Sequence, residues 1–213
     1  MIQLINKYTR IKNIIFPSKK INLTVIIILF LGVTSGAIFS NIIDLNDKKL
    51  VLDKIQLFIS NIDTQSINNI ESFKNSIITN LSYSIIIWIL GMTIIGIIIN
   101  IFLLYLKGFI FGFTLSAFIL TYSYKGMILS ILYTLFGQLL NLVVIMILSI
   151  YSIMFTFNFV KQIIKSKYNM NIPKYFKNYS LIFLITIIIS LISSISEAFV
   201  FPTLIKIIIK LFI

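Results

Sequence analysis

Long, nearly unbroken runs of apolar residues constrain this chain more than any other feature. They lie at 21–40, 82–106, 108–124, 127–160 and 179–201, against the about 17–25 residues that carry a helix through a bilayer. A water-soluble fold cannot hide so much apolar surface. Hydrophobic residues make up 59% of the chain, where soluble domains hold about 45–50%, and the mean hydropathy is +1.05. Within 213 residues the runs leave room for one membrane domain with short connections and no separate soluble catalytic domain. The expected fold is therefore all-α: a polytopic membrane protein with about five transmembrane helices and a short amphipathic helical extracytoplasmic loop.

Charge sets the topology. The chain carries 18 basic and 6 acidic residues, net +12, a balance that in a soluble protein raises nucleic acid as a partner. Position argues otherwise. Lys7, Arg10, Lys12, Lys19 and Lys20 precede the first run, and Lys161, Lys165, Lys167, Lys174 and Lys177 fill the connection before the last, with no acid in either cluster. Both segments read as cytoplasmic topology signals attracted to anionic membrane lipids, and neither is long enough to read nucleic acid. Two cytoplasmic segments require an even number of crossings between them, which the first four runs supply if the short third run crosses. This divides the chain into a basic cytoplasmic N-terminus (1–20), a first transmembrane helix (21–40), an extracytoplasmic loop (41–81) and a four-helix membrane domain (82–213) with a basic cytoplasmic loop (161–178). Lys107 then marks the inner face and Lys125 the outer face. Residues 1–40 also resemble a secretory signal, but the apolar stretch exceeds a usual signal core, so it reads as a retained helix.

The loop at 41–81 mixes charges: Asp44, Asp47, Asp53, Asp63 and Glu71 with Lys48, Lys49, Lys54 and Lys74. Val51, Ile55, Phe58 and Ile62 recur at helical spacing, as do Ile70, Phe73 and Ile77 after a polar break at Asp63–Ser66. Two short amphipathic helices are expected, their apolar faces covered by the membrane surface, a partner, or the protein's own helices.

Inside the runs, Gly32 with Gly36 and Gly108 with Gly112 form Gly-x-x-x-Gly pairs that let another backbone approach closely. Internal packing is the plainer use, a homo-oligomeric interface the other. Gln138 and Asn141 share a helix face and suit inter-helix hydrogen bonding, as does Asn100. Glu197 is the one acid inside an apolar run, and an intramembrane carboxylate is a functional candidate by default. It lies 18 residues beyond Tyr179, about 27 Å along a helix, which places it near the outer interface with Lys125 or Lys206 as counter-charge. Pro202 ends or bends that helix. Lys107 before Gly108 reads as a snorkelling anchor, and Tyr83 and Trp88 as an outer aromatic belt. The chain has no Cys and no His, which removes thiolate chemistry, Cys/His zinc sites and the commonest general base. No catalytic, cofactor-binding or metal-binding set is expected, and the chain does not read as an enzyme.

The run Gly91 to Gly112, continuing Phe113-Thr114, resembles the stage II sporulation protein M family, with Lys107-Gly108-Phe109-x-x-Gly112-Phe113 as its core. The amide-bearing stretch Gln138–Asn141 and the tail Glu197-Ala198-Phe199-Val200-Phe201-Pro202 extend the likeness over nearly the whole chain. A Pro associated with the family before the amide pair is missing, since Gly137 stands there. The resemblance implies a scaffold in the septal or engulfing membrane of endospore formation that anchors the peptidoglycan-degrading stage II sporulation proteins D and P. In that picture Val51, Ile55 and Phe58 face partners. A transporter or channel subunit is the alternative.

Overall fold

The computed structural model describes residues 18–63, 68–134, 138–165 and 172–212. Lys7, Arg10, Lys12 and Lys167 of the basic segments, Thr64 to Ser66 of the polar break, and Gly137 lie outside them. Among the described residues every element is helical. In chain order these are α1 (Lys19–Ile42), α2 (Leu45–Asp63), α3 (Asn69–Leu90), α4 (Gly96–Tyr133), α5 (Leu139–Lys165), α6 (Ile172–Ile195), a π-helical turn (Ser196–Val200) and α7 (Phe201–Phe212). The protein is an all-α polytopic membrane protein. Four helical stretches, 19–42, 96–132, 139–164 and 175–207, are long and apolar enough to cross a bilayer. The more polar α3 traverses the bundle alongside them.

Side-chain pairings give the directions. α1 and α4 run parallel, since Leu29 and Val33 abut Gly108 and Gly112 while Ser40 donates to Ser116 over 2.6 Å. α3 and α5 are parallel too: Asn80 pairs with Asn141 and the Gly91 carbonyl accepts from Thr156. α6 opposes α3, for Ser194 meets Asn80 and Tyr179 meets Trp88. One end of the bundle thus holds the starts of α1, α4 and α6, and the other holds α2 and α7. The chain passes between the ends four times from the start of α1 to the end of α5, so Lys19 and Lys20 share an end with Lys161.

The tightest packing is between α1 and α4, and it follows from the two Gly-x-x-x-Gly pairs. A Cβ added at Gly32 would overlap the Tyr105 carbonyl, one at Gly36 the Phe109 carbonyl, and one at Gly112 the Val33 carbonyl. Backbones that close leave no room for side chains, so both pairs serve internal packing. Ser35 and Tyr105 share a 2.8 Å hydrogen bond along the seam.

Several expected boundaries move. The chain does not break at Lys107; α4 runs through it. The break inside the expected 82–106 span falls at residues 91–95, where Thr93 Oγ1 donates to the Leu90 carbonyl and accepts from the Gly96 N–H, both over 3.0 Å. That side chain takes up a carbonyl and an N–H freed at the break, which lets an apolar stretch turn there. The expected boundary between the spans 108–124 and 127–160 falls beside a bend in the structure. Ser123 has φ 50° and ψ −122°, and beyond it the chain folds back: a Cβ at Gly126 would overlap the Phe118 carbonyl. In a straight helix those residues stand about 12 Å apart, so 124–133 is a return limb lying against the end of the ascending one. α5 then starts partway into the bundle at Leu139. The basic connection is shorter than 161–178, because helix persists to Lys165 and resumes at Ile172.

The outer segment forms two helices either side of residues 64–67, as the spacing predicts, but the second is not short: α3 continues to Leu90. Asn68 caps its start, its side chain accepting from the Ile70 N–H over 3.1 Å. Ile59 and Ile62 of α2 bury against Phe118, Leu129, Phe201 and Ile205. The protein's own helices therefore cover much of the α2 stripe.

Candidate functional site

A polar cavity of about 380 Å³ opens among α2, α3, α4, the start of α5 and the π-helical turn. α3 supplies most of its wall. Ser72, Ser76, Thr79 and Tyr83 recur every three or four residues, and such spacing lays side chains along one helix face. Ser72, Asn75, Ser76, Thr79 and Asn80 all line the cavity. Lys107 of α4, Gln138 before α5 and Glu197 of the π-helical turn complete the polar lining, and Phe58, Ala198, Phe201 and Pro202 the apolar part.

Glu197 is held from two elements. Gln138 Nε2 donates to Oε1 over 2.7 Å, and the Ser76 hydroxyl donates to Oε2. The irregular backbone around it is what aims it inward: the π-helical turn widens the helix by one residue just before Pro202, and such turns recur at functional sites. Lys107 is only 8% exposed. Its ammonium lies 5.1 Å from the centre of the Tyr83 ring, a cation–π contact that replaces part of the lost hydration, and it interacts electrostatically with Glu197. Lys107 therefore joins the expected Lys125 and Lys206 as a basic residue acting on Glu197, from inside the bundle. Lys107 is correspondingly no snorkelling anchor at a membrane face. It sits beside Gly108, level with the middle of α1, where the cost of a charge is high unless the bundle interior receives it.

The amides divide. Gln138 reaches the carboxylate, while Asn141 is buried one turn deeper and donates to Asn80, which in turn donates to Ser194 over 3.0 Å. This chain of three side chains ties α5 to α3 and α6 directly behind the cavity. Asn100 is buried away from it, accepting from Ser149 over 3.0 Å. Gly108 and Gly112 face α1 and hold α4 in place, so they shape the site without lining it.

Val51 and Ile55 sit apart, in a second cavity of about 380 Å³ between α2 and α4 that they line with Lys54, Phe58, Phe113, Thr114, Ala117 and Phe118. Phe58 borders both cavities and stacks on Phe201 at 6.3 Å. The expected outer aromatic belt is not formed by Tyr83 and Trp88. Tyr83 lies under Lys107, and Trp88 stacks on Phe183 at 4.7 Å near the opposite end of the bundle. Both shifts follow from α3 starting at Asn69, thirteen residues before the expected span.

Sequence reading missed Ser72, Asn75, Ser76, Thr79 and Asn80. Their helical spacing was available in the residues, but all five fall inside the expected outer loop, 41–81, where no membrane-depth site was sought. Among the described residues no group of three or more acidic, His or Cys side chains is placed to hold a metal ion.

Residues 25–202 match the family model described as Stage II sporulation protein M. No curated protein and no solved structure matches the chain.

Proposed function

From the premise that this chain belongs to the stage II sporulation protein M family, and so is a sporulation-related membrane protein, we propose that it is a scaffold that anchors or localises peptidoglycan-degrading enzymes at the septal or engulfing membrane during endospore formation. The partners are stage II sporulation proteins D and P, which carry the hydrolysis; the scaffold itself is not catalytic. The observation that carries this reading is α2. It lies at the end of the bundle opposite Lys19, Lys20 and Lys161, and the bias of basic residues toward the cytoplasm puts that end outside. There it exposes Leu45, Leu50 and Leu57, each more than half accessible, beside the apolar groove formed with α4. Such a groove suits an amphipathic segment of a partner.

Crosslinked co-purification from sporulating cells tests the reading. Replacing Val51, Ile55 and Phe58 together with Ser is expected to abolish recovery of the wall hydrolases while insertion stays normal. Undiminished recovery would overturn it.

The alternative, a transporter or channel subunit, is favoured by the cavity, because buried polar groups beside interrupted helices also characterise solute pathways. It predicts flux of a small solute into liposomes that carry the purified protein, which a pure scaffold does not produce.

A further inference from the structure

We propose that the cavity around Glu197 and Lys107 is a binding site for a small zwitterion, a ligand with an ammonium for Glu197 and an oxyanion for Lys107. The reasoning starts from the cost of the site. A buried lysine and a carboxylate in a membrane bundle are both expensive, and the cheapest arrangement would close them into a direct hydrogen-bonded pair. Here Glu197 is fixed by Ser76 and Gln138, and Lys107 rests on Tyr83. The two charges face one space of about 380 Å³, within the size range of small-molecule pockets.

Charge selects the ligand class. A lone anion would meet Glu197 and a lone cation would meet Lys107, whereas a dipolar ligand satisfies both and leaves the buried region neutral. The remaining wall combines hydroxyls and amides, which both donate and accept, with an apolar side formed by Phe58, Ala198, Phe201 and Pro202. An ammonium joined to an oxyanion by a short linker occurs in free amino acids and short peptides. The same pair occurs in the headgroup of phosphatidylethanolamine, which would reach the cavity from the outer leaflet.

The test uses the full-length protein in nanodiscs and does not depend on any hydrolase, so it stands or falls apart from the scaffold reading. Glycylglycine is titrated into phosphatidylcholine discs, with N-acetyl-glycylglycine amide as the uncharged probe, and discs containing phosphatidylethanolamine are analysed by native mass spectrometry. Saturable binding of glycylglycine without its blocked form supports the site with a soluble ligand. Retention of phosphatidylethanolamine over phosphatidylcholine supports it with a lipid ligand. In either case Glu197→Gln and Lys107→Met should each weaken binding by about thirtyfold or more, with Ser35→Ala, on the α1–α4 seam, unchanged. Equal binding of the blocked dipeptide, absence of binding by both probes, or wild-type affinity in both charge variants would overturn the proposal.

Discussion

Glu197 accepts hydrogen bonds from side chains 121 and 59 residues away in sequence, so its removal is felt by α3, the start of α5 and α4 at once. Glu197→Ala leaves Gln138 and Ser76 without an acceptor and removes the carboxylate that acts on Lys107, a combination expected to cost about 1–3 kcal/mol. Glu197→Gln, which keeps the shape, should cost less. The double variant Lys107→Met/Glu197→Gln should recover part of the loss, a coupling that a double-mutant cycle of thermal unfolding in detergent reads directly. At the α1–α4 seam the expectation is steric: Gly36→Leu drives a side chain into the Phe109 carbonyl and should cost about 1–3 kcal/mol or more, seen as a lower melting temperature. The sequence singles out Glu197, Gln138 and the glycines because an acid, amides and paired glycines stand out in apolar runs. Their partners were not legible. Which lysine meets Glu197 depends on how far along α4 the chain travels before it bends, and local residues do not encode that distance.

Among the elements, α4 departs furthest from what its sequence suggests. Its 38 residues contain two expected boundaries, at Lys107 and at 125–126; the first is mid-helix, and near the second Ser123 holds a left-handed φ that costs a non-glycine residue about 1–3 kcal/mol. Ser123→Gly should relieve that strain and raise the melting temperature, whereas Ser123→Val, branched at Cβ, should lower it; the opposite order would show that the bend is not located there. Helix existence was legible nearly everywhere, since apolar runs and the α2 periodicity both survive in the fold. Helix ends were not. Lys107-Gly108 looks like a boundary by charge and is mid-helix, because a buried partner removes the need to reach water. Gly91 to Ile95 looks continuous by hydropathy and is a turn, because Thr93 satisfies the freed backbone groups. Hydropathy measures the cost of transfer into lipid, and a polar group already paired inside the protein escapes that measure.

For the molecule as a whole, parity depends on which end each basic cluster reaches and not on where helices stop, so Lys19 and Lys20 share an end with Lys161 although several helix ends differ from those expected. The absence of cysteine makes this checkable. Single cysteines at Lys48, Lys125 and Lys161 have no native background, and an impermeant maleimide added to intact cells should label the first two and spare the third until the membrane is opened. The parallel seam of α1 and α4 also bears on biosynthesis. Gly32 and Gly36 cannot find Gly108 and Gly112 until some 70 further residues have left the ribosome, and α2 and α3 lie between them. The first helix must therefore wait alone in lipid, which its mostly exposed apolar surface allows, and the seam closes only when the ascending limb of α4 arrives. Synthesis order then sets assembly order, and the glycine pairs act as a late checkpoint between helices made far apart in time.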